Sequence, residues 1–329
     1  MLGLPRATHA VACEAAGFAL VVDAWPRLDP SEYFAMGADQ FTPVELADAN
    51  AALIDDGVFT APDWTSAYLD RDFAGLRFTA DSLGRVAVKL GWAVAYAAEM
   101  AAGLAGEFEI DFSGTNQITT PLEHLFIALE LERRGVPFTA LSLHWPGRFE
   151  ATVDFDDDAP KFERAVAEHA AVARFAGTYR LSFSHAEEKF AILPAIARQC
   201  GDRLHVKTAG LAWMAGLRAI ARVEPARFRE VLRTAQERFP FDKVGAAVST
   251  NEEDVRFLPE VPDAEMEHTF FDDHRGRQLL HVSARTQAND PDLRAALEKH
   301  AALHGELFAE SLAKHLDALR VLPSPTPAT

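Results

Sequence analysis

The feature that most constrains this chain is an alternation. Short runs of β-branched and aromatic residues end in polar residues, and a stretch with helical periodicity follows each. Residues 18–23, 108–112, 138–143, 179–183 and 204–207 read as strands, 244–248 as a strand-like run and 279–282 as a weaker one. Between them, Asp63 and Asp81 stand where helix caps are expected, Pro121 opens a helix that stops at Gly135, and further helices are expected at 161–175, 187–200, 211–221, from Pro225, and from Asp290 through His315. Strands that alternate with helices imply parallel pairing through right-handed crossovers. No GxGxxG or GxxxxGK[ST] is present, so a nucleotide-binding sheet has no direct support. The expected fold is an α/β, TIM-barrel-like (β/α) arrangement. It is incomplete, with about six strand–helix units where a closed barrel takes eight. It would form a single domain over 1–320 with a helical insertion around 30–105 and a disordered Pro-rich tail at 321–329.

Charge narrows the partners. The formal net charge of -17 repels phosphate backbones and anionic lipid, so nucleic acid and membrane surfaces are poor partners. A small anionic substrate then needs a local cluster of Lys and Arg. The two cysteines, Cys13 and Cys200, fall in no metal or redox spacing and read as reduced thiols. The apolar stretch 10–22 carries Glu14 and lacks a basic flank, so it reads poorly as a signal peptide, and the expected compartment is the cytoplasm.

In parallel α/β folds the chemistry sits at the C-terminal ends of strands. The strand at 204–207 ends in His205, Lys207, Thr208 and Gly210. His205 and Lys207 are two apart and share a face. His205 suits a divalent metal, Lys207 a substrate carboxylate or a Schiff base, and the amide of Gly210 an anion at a helix start. After 179–183 comes His185-Ala186-Glu187-Glu188-Lys189, either an acid/base or metal cluster or an acidic helix N-terminus. Glu109 and Asp111 share a face of their strand, as metal ligands, a base or a solvated face. Arg148 is suited to bidentate carboxylate binding or to a surface salt bridge. His281 reads as a core histidine or a site member. His300 and His304 are four apart but read as a polar helix face. No GxSxG or Cys-nucleophile arrangement is present.

Taken in order, several segments resemble the tagaturonate/fructuronate epimerase family of hexuronate catabolism. They are Phe41-Thr42-Pro43-Val44, Ala52-Leu53-Ile54-Asp55-Asp56-Gly57, Leu76-Arg77-Phe78-Thr79, Thr120-Pro121-Leu122-Glu123-His124-Leu125-Phe126-Ile127, Gly147-Arg148-Phe149-Glu150, Lys189-Phe190, His205-Val206-Lys207-Thr208-Ala209-Gly210 and Arg277-Gln278-Leu279-Leu280-His281-Val282. The resemblance implies a TIM-barrel-like fold, a divalent metal (Mn, Zn, Co or Ni), and inversion at a carbinol carbon β to the ketone of a keto-uronate, for which a retro-aldol/aldol step is a chemical route. It also implies that the chain's first strand matches the family's third, which leaves a barrel edge that a homo-oligomer would cover.

The chain departs from the family pattern in three places. Ser113-Gly114 stand where the family has an Asp-Glu pair. The family's His-Ser-Gly-Ser-Asp-Lys is here Ser184-His185-Ala186-Glu187-Glu188-Lys189. Its Tyr-His-Val-Ser is here Ala246-Ala247-Val248-Ser249. If the missing Glu and His join His205 as the family's metal ligands, two of three are lost, and Asp111, His185 or Glu187 are the candidate substitutes.

Three readings follow. The first is a metal-dependent epimerase, with Glu188 and Lys207 catalytic, His205 on the metal, and Arg148, Lys189, Thr208 and Gly210 holding substrate. The second is a degenerate relative without a metal that binds a sugar acid or a protein partner. The third is a Schiff-base aldolase-type enzyme using Lys207.

Overall fold

A computed structural model describes residues 20–24, 37–61, 63–104, 106–114, 117–256 and 260–320. The expectations for the N-terminal apolar stretch before residue 20 and for the tail at 321–329 lie outside the described residues. Five strands form one sheet in the order β1 (Leu20–Asp23), β2 (Phe108–Asp111), β3 (Ala140–Ser142), β4 (Arg180–Phe183) and β5 (Leu204–Val206). β1 to β4 pair in parallel, with Val22 opposite Ile110, Ile110 opposite Leu141 and Leu141 opposite Leu181. β2 and β3 bury nearly every residue, as expected of a parallel sheet covered on both faces.

The sheet curls. β2 and β5 are three strands apart, which in a flat sheet separates them by about 14 Å. Yet His205 Nδ1 on β5 lies 3.3 Å from Glu109 Oε2 on β2. Neither side chain is long enough to span a flat sheet, so the face carrying both is concave.

The chain falls into two compact units: 1–146 with 164–182 and 202–205, and 147–163 with 183–201 and 206–329. In the first unit, α1 (Pro43–Asp55), α2 (Ala80–Ala101) and α3 (Pro121–Arg133) each begin on a capping box, Thr42/Glu45, Thr79/Ser82 and Thr120/Glu123. The Thr79 hydroxyl therefore does the capping expected of Asp81, and Asp81 instead pairs with Arg85 at 2.9 Å. Asp63 makes no side-chain cap, and a short 3₁₀ turn, Trp64–Ala67, follows it. Gly135, at φ +69°, ends the chain's run from α3.

The first unit's core also holds a fully neutral polar chain. His169 Nε2 lies 3.1 Å from the carbonyl of Thr119, an acceptor, so Nε2 carries the proton. His169 Nδ1 must then accept from His124 Nδ1 at 3.0 Å, and His124 Nε2 accepts from the Tyr179 hydroxyl at 2.8 Å. Burial holds both imidazoles below the ordinary histidine range, His169 at about 4, with His169 adding to the effect on His124.

The second unit contains α5 (Leu193–Cys200), α6 (Ala209–Val223), α7 (Pro225–Asp242), α8 (Glu252–Val255), α9 (His274–Gln287), α10 (Pro291–Lys299) and α11 (Ala301–Ala318). α4 (Ala159–Ala176) runs through the division between the units. Leu217, Ile220, Phe228, Leu232, Phe270 and Leu280 are among the side chains of the second unit's apolar core.

Several expectations change here. The weak strand at 279–282 is the middle of α9. Asp273 Oδ1 caps this helix by accepting from Arg275 N at 2.8 Å, and Gly276, Leu279, Leu280, Ser283 and Gln287 bury one helical face. The run at 244–248 forms no strand, though the carbonyl of Ala247 accepts from Ala151 N at 2.8 Å. The helix expected from Glu187 begins at Leu193, behind a 3₁₀ turn at Ala186–Glu188. The long last helix breaks at His300 into α10 and α11. The strand count among the described residues is thus five. No helix of the described residues is long and apolar enough to cross a membrane.

Candidate active site

In the second unit the chain leaves β4 through His185, whose backbone is left-handed at φ 52°, ψ 38°. A non-glycine residue takes that conformation rarely and at a cost that its surroundings must cover. The turn is pinned by the Lys207 carbonyl, which accepts from Ala186 N at 3.4 Å, and by His315 Nε2, 2.7 Å from the carbonyl of Glu187. The consequence is that Glu187 points inward and keeps 6% of its exposure. Its Oε1 accepts from Gly210 N, in the first turn of α6, at 3.1 Å. The amide expected to receive a ligand's anion is therefore occupied by a carboxylate of the chain itself.

His281, on α9, closes the other side. A β-carbon built on Gly210 would lie 3.0 Å from Glu187 Oε1 and 3.2 Å from His281 Nδ1, so Gly210 sits between the two. The rings of His185 and His281 meet edge to face, with centroids 6.3 Å apart. The α6–α9 spacing that places His281 is set by Trp213 Nε1, which donates to the carbonyl of Leu280 at 2.8 Å.

Two cavities meet at Gly210 and His281. One of about 340 Å³ is lined by His185, Trp213, Ala246 and Arg285 among others, a size within the range of small-molecule sites. A smaller one, about 70 Å³, is lined by Glu187, Glu188, Thr152, Arg218 and Arg277. Burial pushes the imidazoles of His185 and His281 below their ordinary range, against the pull of the Glu187 charge. Burial pushes the Glu188 carboxyl up, against Arg277 and His315. The cluster therefore offers neutral imidazoles that can take a proton and a carboxyl inclined to hold one.

Among the other expected site residues, Lys189 and Lys207 stand close enough to His185 for their charges to act on its imidazole. Lys189 is buried, but its ammonium donates to the carbonyls of Glu150, at 2.7 Å, and Val153, and so ties down a loop. Gln278 Nε2 and Arg277 Nε hold the same loop through the carbonyls of Ala151 and Thr152 at 3.1 and 3.0 Å. Arg148 is exposed and pairs with Asp156 at 2.9 Å. Thr208 precedes α6 without a side-chain cap, and Lys207 N donates to the carbonyl of Phe183 at 2.9 Å. In the first unit, buried Glu109 and half-buried His205 pair on the concave face, while Asp111 Oδ1 accepts from Ser113 N and Oγ at 2.8 and 2.6 Å.

A catalytic divalent ion takes three protein ligands. Glu109 and His205 are a pair only, and among the described residues no three His, Cys, Asp or Glu side chains are grouped to hold a metal. The described residues alone do not fit the metal that the family resemblance implies.

His281 carries more than its sequence context suggests. Its neighbours Leu279, Leu280 and Val282 read as β-type, which hides its place on a helix facing Gly210. The signal that points to it is the Arg277-Gln278-Leu279-Leu280-His281-Val282 segment of the family resemblance.

Comparison with known proteins gives a consistent picture. Residues 23–319 match the family model described as tagaturonate epimerase. The tagaturonate/fructuronate epimerase of Thermotoga maritima is 35% identical over 210 residues, covering 64% of this chain and 44% of that protein. The chain thus spans less than half of the length of this curated relative. Among solved structures, the native fructuronate-tagaturonate epimerase UxaE of Cohnella laeviribosi aligns over 96% of this chain and 66% of its own, with TM-score 0.77 and 26% identity. A form of that enzyme with two glycerols aligns over 97% and 67%, with TM-score 0.79 and 26% identity.

Proposed function

The chain belongs to the tagaturonate epimerase family, and from that premise we propose that it epimerises a keto-uronate or related sugar acid at the His185–Glu187–His281 cluster. The observation that carries this reading is the placement, around cavities that meet at Gly210 and His281, of two half-buried imidazoles, His185 and His281, and the Glu188 carboxyl, with burial lowering the imidazoles and raising the carboxyl. Inverting a carbinol carbon β to a ketone by retro-aldol cleavage needs both. His281 takes the proton of the carbinol hydroxyl, the O–H pair becomes the aldehyde C=O, and the bond between the α and β carbons breaks. Its electron pair moves to the ketone oxygen as an enolate, which Glu188 protonates. Rotation of the aldehyde and reversal of the steps return both protons and give the inverted carbon. The curled, sequentially ordered parallel sheet supports a barrel-like frame for this chemistry.

A second reading has one observation in its favour. The described residues group too few ligands for a catalytic metal, which suits a relative that binds a sugar acid without turning it over. One experiment separates the two. The purified chain is incubated with tagaturonate, with and without added Mn, Zn, Co or Ni, and fructuronate is followed by NMR. The expected outcome is turnover that His281→Ala lowers by about 10²-fold or more in kcat. Binding of tagaturonate with no turnover under any metal overturns the epimerase reading and leaves the binder.

A further inference from the structure

Glu187 presents a problem that the acid–base roles above leave unsolved. One carboxylate oxygen, Oε1, is held by the Gly210 amide at 3.1 Å. The other, Oε2, is buried and has no hydrogen-bond partner among the described residues, and the same holds for His281 Nδ1. A buried carboxylate oxygen with no donor costs free energy, so such an atom calls for an explanation. The carboxylate cannot turn away, because its backbone carbonyl is held by His315 and its other oxygen by Gly210. It also lines a cavity shared with His281, Arg277 and Glu188.

An ionised carboxylate only accepts hydrogen bonds. What completes it is therefore a donor carried in by the ligand. A ligand carboxylate is excluded from that position by charge repulsion and by the occupied Gly210 amide. A hydroxyl fits, because its proton goes to Glu187 while its carbon chain continues toward His281. Resting on the epimerase-family reading, we infer that Glu187 Oε2 is the acceptor for a ligand hydroxyl neighbouring the one that His281 addresses. The site then selects a vicinal diol of an open-chain hydroxy acid, and Gly210 is required because a β-carbon there would displace both groups.

The selectivity is measurable without turnover. Calorimetric titration compares galactonate, an open-chain six-carbon hydroxy acid, with hexanoate, a six-carbon acid without hydroxyls. Wild type is expected to favour galactonate by about 10-fold or more, the range of a hydrogen bond to a charged group. Glu187→Gln keeps the size and removes the charge. It should cost about tenfold in galactonate affinity and leave hexanoate within about twofold. Gly210→Ala should produce the same loss through the contacts at 3.0 and 3.2 Å, and it provides the test if Glu187→Gln does not fold. An unchanged galactonate-to-hexanoate ratio in either folded variant overturns the assignment and leaves Oε2 satisfied by solvent. Failure of wild type to bind galactonate overturns the sugar-acid reading itself and this assignment with it.

Discussion

At the scale of single residues, hydrogen-bond direction decides more than identity does. His169 must donate to a carbonyl, so each proton in the chain Tyr179–His124–His169–Thr119 has one place to be. Tyr179→Phe removes the donor to His124 Nε2 and leaves a buried acceptor unsatisfied. We expect a loss of about 1–3 kcal/mol in urea unfolding, with little change of slope. The same reasoning explains what was legible in the candidate site. Glu188, His185 and Gly210 stand out in sequence because acid/base residues cluster after a strand. Lys189 and Arg148 stand out for the same reason, yet one ties down carbonyls and the other pairs at the surface. Sequence spacing gives the residue type and the face, but not whether the side chain's donors are already committed. Glu187 reads either as a member of an acid/base or metal cluster or as an acid at a helix N-terminus, and its burial against Gly210 takes it away from the solvated helix end.

At the scale of elements, the strands of the first unit and the Pro121 start of α3 were legible, because Pro at the first turn is a local signal. The caps expected at Asp63 and Asp81 were not, because the Thr79 hydroxyl takes the cap of α2 and Asp63 makes none. Nor was the segment at 279–282. Its apolar run favours a strand locally, but the buried face repeats at helical spacing over fourteen residues, and packing overrides propensity. The start of α9 also depends on a close approach. A β-carbon at Gly276 would lie 2.1 Å from the Thr269 carbonyl and 2.6 Å from Phe270 Cα, both backbone atoms that cannot step aside. Gly276→Ala should therefore destabilise by about 3 kcal/mol or more, read as a fall in the urea midpoint. Because α9 carries His281, the same variant should also weaken galactonate binding.

At the scale of the whole molecule, the number of strands was read as about six and is five among the described residues, because the last two β-type runs are a helix and an irregular segment. The buried histidines give the fold a pH dependence of known sign. An unfolded histidine takes up a proton near pH 6.5, whereas His169 in the fold does so only near 4, and His124 is displaced in the same direction. Their contribution is present in full above pH 6.5. It is lost as pH falls toward 4, by about 1.4 kcal/mol per pH unit for each imidazole. Urea midpoints measured from pH 7.5 to 4.5 should follow that fall, and His169→Gln should flatten it. A flat profile in wild type would contradict the neutral pair.

The division of the chain has a consequence for its birth on the ribosome. The first unit is finished only when residues 202–205 have been made, and the second opens at residue 147 and closes near the C-terminus. Neither is a continuous stretch of message. When residue 205 completes the first unit, the second unit exists only as residues 147–163 and 183–201, so a nascent chain carries two pieces of the second unit before the rest of it has been made.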